Sequence, residues 1–327
     1  MKNQNGQRRV SPISLEGLRT YSISDRPSKV SVKDFSSPWV KGGSLAQWLE
    51  KLPAILGAKD LVEVAARVAE AAQCGREVVL AMGAHPIKVG LSPIIIDLME
   101  RNIITAIAMN GACIVHDLEI AMIGRTSEDV AAVLGEGKFG MAEETASVLN
   151  RAMRRAAHEG SGLGAMVGRV LIEENFPYNN VSIVAMAHRL GVPATVHVAI
   201  GTDIIHCHSS FDGAAAGKAS HYDFRVFASV VAGLQGGVFI NLGSAVIMPE
   251  VFLKALTVAR NLGHEVKQFT TVNMDFIRQY RPMTNVVHRP TQEGGKGYSL
   301  IGHHEIMLPL LAAAVIEQVP RSLKDGG

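Results

Sequence analysis

Several things that would assign this 327-residue chain quickly are scarce or missing. Aromatic residues make up only 5% of it and charged ones 19%, and its 32 basic side chains nearly cancel its 30 acidic ones, leaving a formal net charge of +2. No basic stripe runs along it, so the electrostatic footprint of a nucleic-acid binder is missing. Hydrophobic residues reach 47%, yet no uncharged apolar run of about 18 residues occurs, and no membrane span is expected. The polar start, MKNQNGQRRV, leads into no signal-peptide core. The three cysteines, Cys74, Cys113 and Cys207, are far apart with no C-x-x-C pair. That count fits a reducing compartment, and a cytoplasmic location is expected.

What is present is Ala, Gly and periodicity. Residues 1–43 read as an N-terminal arm, rich in Ser, Lys and Pro, disordered or packed on a neighbouring subunit. From Ser44 to the end no boundary divides the chain, and 44–327 is expected to be one α/β domain. Helical spacing runs from Lys59 to Gln73 and stops at Gly75. Then come strands at 77–83, 104–109, 193–201, 237–243 and 267–273, separated by helices at 92–101, 141–158, 181–191, 222–234 and 249–262. A last helix closes the chain near 305–318. Strands alternating with helices predict a Rossmann-like parallel sheet with helices on both faces.

In such sheets ligands bind beyond the carboxyl ends of the strands, and these exits are polar. The first delivers Gly83, Ala84 and His85; the second Asn110 and Gly111, then His116, Asp117 and Glu119. The third strand carries His197 and leads to Asp203, His206 and His208; the fourth ends in Gly243 and Ser244, and the fifth in Asn273 and Asp275. Any one of these residues could be a helix cap or a satisfied loop residue. Five exits agreeing predict the rim of an active site.

Three chemistries fit that rim. Gly243-Ser244, between a strand and a helix, could offer backbone N–H groups to a phosphate, although no G-x-G-x-x-G occupies the first turn. The glycine-rich GSGLGAMVG (160–168) follows no strand and reads as a flexible or tightly packed helix connection. His206-Cys207-His208 and His303-His304-Glu305 offer metal ligands, but adjacent residues on an extended chain point apart, and no H-E-x-x-H is present. Lys296, in EGGKGY, could act as a nucleophile if its surroundings lowered its pKa; otherwise it is a solvated surface lysine.

Residues 76–119, 188–204, 238–261, 270–275 and 303–317 together resemble the deoxyhypusine synthase family in order and in short segments. NGACIVHD stands where that family has Thr-Ala-Gly-Gly-x-Glu-Glu-Asp, VFINLGSAVIMPE where it has Leu-Gly-Gly-Gly, and TTVNMD where it has Ile-Asn-Thr-Ala. The resemblance implies a NAD-binding domain assembled as a homotetramer with active sites at a dimer interface. It also implies oxidation of an amine or polyamine such as spermidine, with an alkylamino group passed through a lysine imine to a protein lysine, the reaction that yields hypusine. Carried over, His85, Asn110, Gly111, Gly243, Ser244, Asn273 and Asp275 would border NAD, and Asp203 would stand for the loop Asp near the cofactor. As acids at the rim, Asp117, Glu119 and Asp203 would hold the cationic amine by charge-assisted hydrogen bonds.

The sequence departs from the family within these segments. His116 replaces one paired glutamate, and Met248-Pro249-Glu250 replaces the Lys-His-His that follows the glycines. The family's catalytic lysine lies in Trp-Gly-Lys. An ungapped match puts Arg289 or Pro290 there, whereas a shorter loop aligns Gly295-Lys296, which is preferred because the Gly-Lys pair fits and loop-length changes cost little. On this reading Lys296 forms the imine, and His116 or His208 manages protons. The expected activity is a deoxyhypusine synthase-like, NAD-dependent aminoalkyl transferase. Its rivals are a metal-dependent hydrolase using His206, His208 and His304, and a non-catalytic nucleotide-binding oligomer.

Overall fold

Six short segments are the strands of one sheet in the computed structural model, which describes residues 10–320. They are β1 (Val78–Met82), β2 (Ala106–Asn110), β3 (Ala194–His197), β4 (Val238–Leu242), β5 (Thr270–Asp275) and β6 (Lys296–Ile301). All neighbours are parallel, in the order β3-β2-β1-β4-β5-β6. Every residue of β1, β3, β4 and β5 is buried, which is why these strands read as continuous rather than alternating apolar runs.

Helices α1 (Leu45–Glu50) and α2 (Leu56–Gln73) precede the sheet. Between β1 and β2 lie α3 (His85–Lys88) and α4 (Ser92–Glu100). The long crossover from β2 to β3 holds α5 (Gly111–Ile123), α6 (Val130–Val133), α7 (Glu143–Glu159), α8 (Leu163–Glu174) and α9 (Ile183–Leu190). Then α10 (Gly213–Ala232) leads to β4, and α11 (Ile247–Asn261) to β5. The short α12 (Tyr280–Pro282) runs into a π-helical turn, Met283–His288, before β6, and α13 (His304–Ile316) follows.

Alternate strand residues face opposite layers. Leu80, Met82, Ile107 and Met109 pack with Val64 of α2, Ile95 of α4, Ile114 of α5 and Leu311 of α13. On the other face Val79, Ala81, Ala108 and Phe239 pack with Phe227 of α10 and Phe252 of α11. Phe239 and Phe252 stack with ring centroids 3.7 Å apart, and Phe227 and Phe269 flank them. Four of the ten phenylalanines are thus gathered where α10 and α11 cover the sheet, and such rings bury a large area per residue.

The glycine-rich stretch at 160–168 opens α8 and serves packing. A β-carbon on Gly164 would overlap the Ala194 carbonyl of β3, and one on Gly168 would lie 2.5 Å from the Val184 carbonyl of α9. No phosphate cradle is left there.

Two expectations need correcting. The sheet has a sixth strand, β6, whose sequence KGYSLI buries only Tyr298 and Leu300, the weak pattern of an edge strand. Lys296 is therefore the first residue of a strand, not part of a loop. His116, Asp117 and Glu119 likewise lie within α5, which starts at the residue after β2 with no loop between. None of residues 10–43 is buried, and backbone hydrogen bonds from Ser37 N–H to Lys51 O (3.1 Å) and from Ala54 N–H to Asp34 O (3.0 Å) tie that segment to the residues after α1. Residues 1–9 of the expected arm and residues 321–327 lie outside the described residues. No helix among the described residues is long and apolar enough to cross a membrane.

Candidate functional site

The sheet order has its topological switch between β1 and β4, whose following segments lead to opposite sides, and in open sheets of this kind the carboxyl edge at that point is the crevice where ligands bind. There the turns after β1 and β4 meet. A β-carbon on Gly83 would lie 2.5 Å from the Gly243 carbonyl, and Gly243 has φ +65°, so both positions need glycine. Ser244 accepts the Met248 N–H on its hydroxyl at 3.1 Å, while Val246, at the helix boundary, gives α11 no side-chain cap. Asn241 braces this turn by donating to Ser244 O (2.9 Å) and to Asn273 Oδ1 (2.7 Å). Asn273 is thus a buried strut behind the crevice.

Three more polar residues border the same point. His304 is buried and its Nε2 donates to Met274 O at 3.3 Å, with Asp275 Oδ1 at 3.9 Å from the same nitrogen. Its Nδ1 is then the acceptor and has no partner. Burial lowers its pKa, against the opposing charge of Asp275. His85, exposed at the start of α3, sits with its ring 5.3 Å from that of His304. The crevice therefore gathers His85, Gly243, Ser244, Asn273 and Asp275 from the sequence reading, and adds His304.

A second site opens beside α5. Asn110 caps that helix, its Oδ1 accepting from Cys113 N–H at 3.2 Å. Gly111 follows because a β-carbon there would overlap the carboxylate of Asp203. Asp203 is only 6% exposed, and its Oδ2 has no hydrogen-bond partner. Burial raises its pKa to about 6. Next to it, a cleft of about 430 Å³ is lined by Lys88, His116, Glu119, Glu128, Asp203 and the apolar Phe139, among others.

Within this cleft the protons can be assigned. Thr126 donates its hydroxyl proton to Glu119 Oε2 at 2.5 Å and lies 2.6 Å from His116 Nδ1. A threonine has one proton to give, so its oxygen must accept from His116 Nδ1–H. Thr145 donates to the other Glu119 oxygen at 3.2 Å. This Glu119–Thr126–His116 relay leaves His116 Nε2 with the lone pair. Burial, with a smaller contribution from Lys88, lowers the His116 pKa to about 4, so the ring is neutral near pH 7.

Other expected site residues go elsewhere. Asp117 is fully buried and accepts from Ser182 Oγ (2.5 Å), Ile183 N–H (2.8 Å) and Val184 N–H (3.1 Å). It caps α9 and does not face the cleft. Burial raises its pKa to about 6, opposed by these three donors. His208 donates from Nε2 to Gly140 O at 2.9 Å and pins the segment before α7. Lys296 lies at the amino end of β6, the opposite edge of the sheet from both sites. It pairs with Glu63 Oε2 at 2.6 Å on an exposed surface. That hydrogen bond raises its pKa, the reverse of what an imine-forming lysine requires. This placement and pairing lend no support to the imine role expected of Lys296. Nor do His206, His208 and His304 converge: among the described residues no group of three or more His, Cys, Asp or Glu forms a metal site.

Sequence reasoning missed Lys88, Thr126 and Glu128. Lys88 stands three residues beyond His85, in the exit already singled out, and was legible. Thr126 and Glu128 come from the segment after α5, which only folding brings over the helix.

No family model and no curated protein matches the chain. Solved structures do resemble it. The ternary complex of AgrE with ornithine and NAD+ aligns with a TM-score of 0.52 at 14% identity, covering 79% of this chain and 32% of that one. A conserved protein from Methanococcus maripaludis S2, provisionally assigned as LOR/SDH, aligns at 0.49 and 16% identity, covering 80% and 70%. A protein from Entamoeba histolytica provisionally assigned as a deoxyhypusine synthase aligns at 0.49 and 11% identity, covering 86% and 96%. The chain thus spans only 32% of the AgrE chain. At these identities the likeness shows the fold alone: the chain is an α/β protein with a Rossmann-like parallel sheet.

Proposed function

We propose that this protein is a NAD-binding enzyme that oxidises a small amine, with the cofactor at the β1/β4 crevice and the amine in the cleft beside α5. The observation that carries the reading is the relay Glu119–Thr126–His116 next to the buried Asp203 carboxylate, whose Oδ2 accepts no hydrogen bond, at the edge of the sheet that holds the crevice. The crevice residues fit a dinucleotide. The turn at Gly243-Ser244 leads into α11, whose amino end attracts a phosphate, and His304 Nδ1 lacks a donor that a ribose or carboxamide could supply.

NAD+ supplies a hydride acceptor for the carbon that bears the nitrogen. The chain supplies the rest. Asp203 and Glu119 attract and orient the ammonium through charge-assisted hydrogen bonds. His116 Nε2 takes the nitrogen proton that amine oxidation must release, and Glu119 stabilises the resulting imidazolium through Thr126. Phe139 and its apolar neighbours hold the carbon chain and limit water. The amine thus becomes an iminium as hydride and proton leave to separate acceptors.

The finer reading, alkylamino transfer to a second amine in the manner of deoxyhypusine synthases, draws no support from the position of Lys296. A homotetramer and a polyamine substrate remain proposals that follow from the sequence resemblance alone.

Calorimetric titration with NAD+ tests the reading. Binding in the micromolar range, about −8 kcal/mol, is expected. No heat at millimolar NAD+ at two temperatures would overturn it.

A further inference from the structure

The cleft beside α5 carries a mixture of charges that a simple amine would leave unused. Three carboxylates, Glu119, Glu128 and Asp203, line it together with one ammonium, Lys88. Lys88 forms no salt bridge among the described residues, although these acids share its cleft. Two of the acids are engaged by the protein: both oxygens of Glu119 accept threonine hydroxyls, and Glu128 Oε2 accepts the Gly140 N–H at 2.9 Å. Asp203 is the exception. It is buried and borders the cleft beside the amino end of α5; no donor hydrogen-bonds its Oδ2, and His206 Nε2 stands 3.8 Å away.

A buried carboxylate oxygen without a donor is costly, and a ligand ammonium relieves that cost. Lys88, exposed and without an ionic partner among the described residues, leaves its charge to water and is open to the anion of a ligand. A diamine would satisfy the first and repel the second. A free phosphate or a dicarboxylate would do the reverse and meet three carboxylates.

We infer that the substrate of this cleft is a basic amino acid, its carboxylate on Lys88, one ammonium on Asp203 and the other near Glu119 and Glu128, with its methylenes along Phe139. This deepens the amine-oxidase reading and rests on it for the reaction, but the binding claim stands on the cleft alone. It separates amino acids from the polyamines implied by the sequence resemblance, because the two differ at the group that Lys88 faces.

Two matched pairs of probes isolate that group. L-lysine and cadaverine differ only by the carboxylate, as do L-ornithine and putrescine. Calorimetry on the full chain, with and without NAD+, should show at least one amino acid binding about tenfold or more tighter than its diamine, the size of one net charge-assisted contact. Lys88→Met, at an exposed position, should erase that preference while the diamine binds at least as well as before, and should leave NAD+ binding unchanged. Asp203→Asn should weaken amino acid and diamine alike.

Diamines binding as tightly as their amino acids would overturn the inference, as would a preference that survives Lys88→Met. Loss of NAD+ binding in Lys88→Met would also overturn it, by assigning Lys88 to the cofactor. Amino acid binding without any NAD+ binding would instead remove the proposed reaction and keep this site.

Discussion

Asp117 and Asp203 show how little a residue type says about its role. Burial raises both pKa values to about 6. Asp117 spends its oxygens on three donors at the start of α9, whereas Asp203 keeps one oxygen free beside a cleft. The phase of α5 explains the divergence among the three polar residues that leave β2. His116 and Glu119 are three apart and share one face of the helix, while Asp117, one residue on from His116, turns about 100° away into the core. Asp117→Ala should therefore cost about 3 kcal/mol of folding stability, because three donors lose their acceptor at once. Glu119→Gln should leave stability within about 1 kcal/mol and reduce turnover, because the amide oxygen can still accept from Thr126 and Thr145 can turn to accept from the amide NH2, but the charge behind His116 is lost. Urea denaturation of both variants checks the contrast, and equal losses of stability would contradict it. The sequence made these residues visible as a group, but it could not give their helix phase while the segment was read as a strand exit.

Among the elements, the junction of α10, α8 and β3 is held by one buried acid. Asp223 Oδ2 accepts from Gly164 N–H at 2.9 Å and Val196 N–H at 2.8 Å. Burial raises its pKa to about 7, against the pull of those donors. A carboxyl whose folded pKa lies above its unfolded value stabilises most below the unfolded value, near 3.8, and loses that contribution as pH rises through about 7. Asp223→Asn cannot ionise. The native protein should thus lose stability relative to Asp223→Asn as pH rises from 4 to 8, by about 1.4 kcal/mol for each unit of real shift. Melting curves of the pair across that range check the sign, and a gap that does not change would refute it. The same junction explains the glycine motif: small residues on one face of α8 bring it against β3, a role that a run of glycines could not announce. β6 was missed for a related reason, since an edge strand with two buried residues carries little periodic signal.

For the molecule as a whole, the two helical layers enclose the sheet without any buried side chain from residues 10–43. Residues 10–43 contribute no buried side chain and leave Ile13, Leu15, Tyr21, Val32 and Phe35 largely exposed. Removing residues 1–43 should shift the melting temperature by less than about 2 °C, since few contacts with the core are lost. A larger fall in dilute solution would show that the arm stabilises the domain, and a fall that depends on protein concentration would show that it does so from a neighbouring subunit.

Continuous apolar strands, helical spacing and polar residues at the strand exits determined by themselves that the chain forms a helix-covered parallel sheet with polar residues gathered at its carboxyl edge. Periodicity is a local property, and local physics writes it directly into sequence. Only the tertiary structure decided which exits meet. Sheet order put β4 beside β1 and so brought Gly83 against Gly243, although 160 positions separate them in the chain. It put Lys296 at the far edge, where a salt bridge holds its charge, and folded the segment after α5 over His116. Strand order and loop placement depend on which distant surfaces bury best together, and no neighbouring residue records that.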